Sequence, residues 1–121
     1  MEKCVLITGG TKGIGKAVAF CLGKAGYNLI LTYASSVDVA NRVVSDMRQQ
    51  LDVKVDALQA DISTKDSIEK IYQYLSSQSL RLDAIVFNAG LTCRDSFETL
   101  ELSEWERIFF ANVHFPVFFI H

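Results

Sequence analysis

The segment Thr8-Gly9-Gly10-Thr11-Lys12-Gly13-Ile14-Gly15 is the first place where residue types and spacing could do chemistry. Glycine lets a chain turn tightly and lets a phosphate come against the backbone, and the N–H groups and dipole of a following helix then hold the anion. Two common phosphate patterns fail on this segment. The pattern G-x-G-x-x-G, begun at Gly13 and Gly15, needs glycine where the chain has Val18. Gly10 to Gly15-Lys16 follows a P-loop as far as its last residue, which must be Ser or Thr to hold magnesium and here is Ala17. The missing hydroxyl weighs against nucleotide hydrolysis. The pattern T-G-x-x-x-G-x-G is complete, with Thr8, Gly9, Gly13 and Gly15.

Other candidate residues follow the apolar runs. Asp61-Ile62 comes after the third run and Asn88-Ala89-Gly90 closes the fourth. The second run ends Thr32-Tyr33-Ala34-Ser35-Ser36, with no acid. A carboxylate there would accept a bond from the ribose 2′-hydroxyl of NAD and repel a 2′-phosphate. Lys12, inside the glycine loop, supplies a cation that can meet such a phosphate. These residues favour NADP(H) over NAD. Asp38 is explained by a capping position on the next helix.

The elements that would position these residues alternate. Apolar runs at residues 3–8, 28–33, 53–60 and 82–88 read as buried parallel strands. Ile14, Ala17, Val18, Cys21, Leu22 and Ala25 recur at helical spacing, and Gly26 ends that helix. Ala40, Val43, Val44, Met47 and Leu51 mark a second helix, with Ser35 and Asp38 as its capping box. Ile68, Ile71, Tyr72 and Leu75 mark a third, with Ser63 as N-cap. Residues 90–100 read as a loop. Leu102, Trp105, Ile108, Phe109, Val113 and Val117 mark a last helix running to the chain end. The fold class is therefore α/β, a Rossmann-type doubly wound parallel sheet of order 3-2-1-4 that stops after the fourth strand and its helix. Ligand is expected at the carboxyl ends of strands 1 and 4, where the winding reverses.

Composition sets outer bounds. The 121 residues are 50% hydrophobic and 21% charged, as in a globular domain. A net charge of −2 gives no reason to expect nucleic acid or an anionic membrane, and no apolar run is long enough to span a bilayer. Cys4, Cys21 and Cys93 form no C-x-x-C pair, and His114 and His121 have no ligand-spaced partners. No metal site is expected, and the thiols suit a reducing cytoplasm.

The complete T-G-x-x-x-G-x-G pattern, Asp61-Ile62, Asn88-Ala89-Gly90 and Asn112, all in register, resemble the short-chain dehydrogenase/reductase family. Residues 91–95 and Trp105 look most like its 3-oxoacyl-acyl-carrier-protein reductases. The resemblance implies an oxidoreductase that moves a hydride between NADP(H) and a carbonyl or hydroxyl substrate, small or bound to acyl-carrier protein. It implies cofactor contacts at Gly9, Gly10, Thr11, Lys12, Gly13, Ile14, Gly15, Ala34, Ser35, Asp61, Ile62, Asn88, Ala89 and Gly90. It makes Asn112 the catalytic asparagine, whose backbone carbonyl holds a water in a proton relay. Pro116 has no N–H to give that carbonyl, which leaves the acceptor free. Phe115 departs from the family, whose members carry a small residue there. The last helix packs at a subunit interface in relatives, which implies a homo-oligomer.

The family's proton donor is a tyrosine followed four residues later by lysine, with a serine upstream. Tyr27, Tyr33, Tyr72 and Tyr74 are followed at that distance by Leu31, Val37, Ser76 and Gln78. Residues 1–121 thus read as one NAD(P)-binding domain, the N-terminal portion of a longer single-domain reductase and inactive alone. The alternative is a naturally short nucleotide-binding module. The residues 108–120, apolar nearly all round, favour the first reading, because such a helix is normally covered.

Overall fold

The computed structural model describes residues 2–121. Its strands are β1 (Lys3–Ile7), β2 (Tyr27–Tyr33), β3 (Val55–Gln59) and β4 (Ala84–Val86). They form one parallel sheet of order β3-β2-β1-β4, as the alternating elements require. The outer strands are shorter than their apolar runs: 53–60 contracts to Val55–Gln59 and 82–88 to Ala84–Val86. Each has a ladder partner on one side only, and at the carboxyl end each stops level with it, Gln59 with Tyr33 and Val86 with Ile7.

Strand alternation sorts the core into two layers. Val5, Ile7, Leu29 and Leu31 point to one face, against Val43, Val44 and Met47. Those valines and the methionine belong to α2 (Val37–Gln50), which shares this face with α1 (Gly13–Lys24). Cys4, Leu6 and Ile30 point to the other face, against Ile71 and Leu75 of α3 (Ser67–Ser77) and the aromatic end of the chain.

The face of α1 differs from the sequence expectation. Ile14 is 77% exposed, and Ala17, Cys21 and Ala25 also face outward. The buried residues are Gly15, Ala19 and Gly23, four apart. A Cβ on Gly23 would lie 2.6 Å from Leu51 Cδ1, so the helix packs closer than a side chain would allow. Hydrophobic periodicity misses this face because glycine carries no apolar side chain. Val18 and Leu22 flank the contact half-buried. Beyond the helix, Gly26 adopts φ +96° and donates to Gly23 O, the expected glycine stop.

Two expected caps are absent. Ser36 rather than Ser35 precedes α2, without a side-chain capping bond. Asp66 precedes α3, also without one, while Ser63 lies earlier and donates instead to Asp61.

The last helix is three pieces: α4 (Leu102–Phe109), a π-turn (Phe110–His114) and α5 (Phe115–Ile120). Phe115 N donates to Phe110 O, one residue further back than in an α-helix. Pro116 follows this shift, the position where a proline costs the ladder least. Phe115, the departure from the family's small residue, is 1% exposed and stacks on Phe119 at 5.6 Å between ring centroids. Phe87 meets both rings edge-on. Tyr72 of α3 stacks on Phe119 at 5.0 Å, and its hydroxyl donates to Phe119 O.

Two outcomes are expected from this packing. Gly23→Val forces Leu51 to move and destabilises the chain by about 1–3 kcal/mol, read by thermal or urea unfolding. Thiol labelling at neutral pH reaches exposed Cys21 first and spares Cys4 until unfolding. Burial, and then the Asp83 and Asp56 carboxylates, push the Cys4 thiol above its ordinary pKa and keep it protonated.

Candidate functional site

A cleft of about 430 Å³ opens at the carboxyl ends of the strands, at the β1/β4 switch point. The loop from β1 into α1 makes one wall with Gly9, Thr11 and Lys12. The corner from β2 into α2 makes a second with Thr32 to Ser36. Ala60, Asp61 and Ile62 follow β3, and Asn88 to Leu91 follow β4.

The glycine loop is held from both sides. Gly9 N donates to Thr32 Oγ1 at 3.2 Å and Gly10 N to Thr32 O at 3.2 Å. These two N–H groups therefore serve the sheet. The first turn of α1 remains, because helix geometry leaves the N–H groups of Gly13, Ile14 and Gly15 without helical acceptors. Lys16 N is the first to donate back, to Lys12 O at 3.3 Å. Lys12 is exposed and immediately precedes that turn.

The glycines have separate tasks. Gly9 and Gly13 adopt φ +66° and +57°, values that bend the loop and disfavour a Cβ. Gly10 is packed against Leu31, and Gly15 lies so close to the loop that a Cβ would sit 2.3 Å from Gly9 O. Gly10, Gly13, Ile14 and Gly15, predicted as contacts, do not line the cleft.

Thr8 and Asn88 join the β1 and β4 ends. Asn88 N and Ala89 N each donate to Thr8 Oγ1 at 3.1 Å. Asn88 Nδ2 donates to Thr8 O at 3.1 Å and Gly9 O at 3.2 Å. Thr8 is fully buried, so its hydroxyl is a structural acceptor. On the opposite side, Asp61 Oδ1 accepts from Ser63 N at 2.9 Å and Ser63 Oγ at 2.7 Å, which holds the carboxylate at the cleft rim.

Asn112 does not line the cleft. From the π-turn its side chain pairs with the backbone of one residue of the β4 loop: Leu91 N donates to Oδ1 at 2.8 Å, and Nδ2 donates to Leu91 O at 2.7 Å. The amide acts like a short length of neighbouring strand. Its side chain is thereby engaged, and only its backbone is left for other work.

Of the sequence-predicted residues, the fold brings Gly9, Thr11, Lys12, Ala34, Ser35, Asp61, Ile62, Asn88, Ala89 and Gly90 to one cleft. Sequence reasoning missed Thr32, Tyr33, Ser36, Ala60 and Leu91, which line it too. All lie within two residues of predicted residues at strand ends. Their signal was position at the carboxyl end of a strand rather than any motif.

The short chain dehydrogenase family matches residues 3–120. The 3-oxoacyl-acyl-carrier-protein reductase FabG of Staphylococcus epidermidis is 32% identical over 113 residues, which are 93% of this chain and 46% of that protein. The chain thus spans about half the length of the curated relatives it matches. Among solved structures, a blue fluorescent protein from a metagenomic library, in complex with NADPH, superposes with a TM-score of 0.87 at 29% identity. The match covers 98% of this chain and 48% of that one. A short-chain dehydrogenase from Sphingobium yanoikuyae, also in complex with NADPH, gives 0.86 at 25% identity, over 98% and 46% of the two chains. A glycine loop at the switch point of a 3-2-1-4 parallel sheet, tied to an Asn-Ala-Gly turn, agrees with this match, and the chain belongs to the short-chain dehydrogenase family.

Proposed function

We propose that the cleft takes NADP(H), and that these residues are the cofactor-binding part of an oxidoreductase acting between the nicotinamide and a carbonyl or hydroxyl carbon. 3-Oxoacyl-acyl-carrier-protein reduction is the favoured reaction. The observation that carries the cofactor reading is the wall at the end of β2. Thr32, Tyr33, Ala34, Ser35 and Ser36 line it without a carboxylate, and Lys12 lines the same cleft. Such a wall accepts a 2′-phosphate and offers a 2′-hydroxyl no anionic partner. The NADPH in the two superposed structures belongs to those proteins and supports the same choice here.

The residues fit the cofactor. The first turn of α1 offers N–H groups and its dipole to the pyrophosphate. Asp61, held in place by Ser63, and Ile62 would contact the adenine. Asn88, Ala89 and Gly90 line the cleft and would hold the nicotinamide end. The bound cofactor would supply or accept the hydride. Reduction also needs an acid for the developing alkoxide. Tyr33 lines the cleft, but as the last residue of β2 and without a lysine four residues on. Tyr27, Tyr72 and Tyr74 likewise have no lysine four residues on. Asn112 would contribute its backbone carbonyl to the proton relay, its side chain being engaged with Leu91. Trp105, Phe109, Val113, Val117, Phe118 and Ile120 are exposed, which supports a homo-oligomer in which this face is covered. Three unpaired cysteines support a reducing compartment such as the cytoplasm.

Two outcomes test the reading. Lys12→Ala weakens NADPH by about 1–2 kcal/mol, the scale of a charge-assisted hydrogen bond, and leaves NADH nearly unchanged in fluorescence titrations. Equal losses would move Lys12 to the shared pyrophosphate. The chain by itself binds NADPH but does not oxidise it with a 3-oxoacyl thioester; measurable turnover would mean that the acid lies within residues 1–121.

A further inference from the structure

The corner at Ala34–Ser36 has an unusual hydrogen-bond inventory. Five successive carbonyls, from Thr32 to Ser36, each have a protein donor. Thr32 O accepts from Gly10 N at 3.2 Å, and Tyr33 O from Ala60 N at 2.9 Å. Ser35 O accepts from Val37 N and Ser36 O from Ala40 N, both at 3.0 Å. Those four donors are backbone N–H groups. Ala34 O is closed by a side chain, Gln59 Nε2, at 3.0 Å.

The register explains the exception. Tyr33 pairs with Gln59 at the last rung between β2 and β3, so Ala34 lies one residue past the ladder. The Gln59 side chain reaches forward to the carbonyl that the ladder leaves behind. Because the partner is a carbonyl, the amide must present its NH₂, which fixes its orientation. With Ala34 O held by β3, every backbone carbonyl of the corner is already oriented by one protein donor, and the serine hydroxyls are the polar groups it offers the cleft.

That difference bears on the cofactor. A carbonyl oxygen turned toward a 2′-phosphate repels it, whereas toward a 2′-hydroxyl it accepts a hydrogen bond. We propose that Gln59 is a positioning residue for cofactor choice: it holds the Ala34 carbonyl out of the cleft and so disfavours a ribose 2′-hydroxyl relative to a 2′-phosphate. This rests on the reading of the cleft as an NADP(H) site.

The test is the ratio of NADPH to NADH affinity, titrated by nicotinamide fluorescence on the chain and its variants. Gln59→Leu removes the donor and is expected to lower that ratio about fivefold to tenfold, the scale of one hydrogen bond. Gln59 is exposed, so the melting temperature should hold. Gln59→Lys keeps a donor at similar reach and should retain the ratio. An unchanged ratio in Gln59→Leu, or equal weakening of both cofactors, would overturn the positioning role while leaving the NADP(H) reading intact. A parent chain that prefers NADH or binds neither cofactor would overturn that reading, and this proposal with it.

Discussion

The rest of the site depends on the close approach of two strand ends, β1 and β4. They are adjacent in the sheet but eighty residues apart in sequence. Beyond Ile7 and Val86 the ladder gives way to side chains. The Thr8 hydroxyl collects two backbone N–H groups of the β4 loop, and the Asn88 amide spans two carbonyls of the glycine loop. Nearly every group in this joint is a buried or half-buried dipole, so an unmade bond would leave an unsatisfied polar atom. The joint therefore holds its geometry, and the cleft inherits it.

Gly15 shows how tight the constraint is. The start of α1 lies directly on the loop and on the Asn88 amide, at a distance no Cβ could share. The same helix comes down on β2 and the end of α2 through Ala19 and Gly23. A row of small residues thus sets how far the helix N-terminus, with its unpaired N–H groups, stands from the cleft. Anion binding and helix packing are two consequences of one backbone approach.

The far face works by the opposite means, with large rings. Phe87, Phe115 and Phe119 fill the space between the sheet and α5, and Tyr72 fastens α3 to the same cluster. The π-turn lets this happen. It shifts the helix by one residue before Pro116, turns Phe115 and Phe119 inward together, and leaves Asn112 facing the β4 loop. The neighbouring residues of that helix, Val117 and Phe118, remain on the outside.

Much of this was legible in the residues themselves. Alternating runs of period two and period 3.6 imply parallel strands joined by helices, and right-handed crossovers then leave few orders besides 3-2-1-4. The loop Thr8–Gly15, Asp61 and Asn88-Ala89-Gly90 stand at strand ends, so the sheet order alone brings most of them to one cleft. These are local properties, set by patterns within a few residues. The tertiary structure decided what depends on distances between segments. Gly15, Ala19 and Gly23 became the face of α1 because the neighbouring backbone and Leu51 come too close for anything larger, and no periodicity of apolar side chains reports that. Asn112 turned to Leu91 because that partner is offered only once the strand ends are in place. Thr32 took two glycine-loop N–H groups for the same reason. A hydrogen bond needs its partner within about 3 Å, and a sequence does not say which distant groups will come that near.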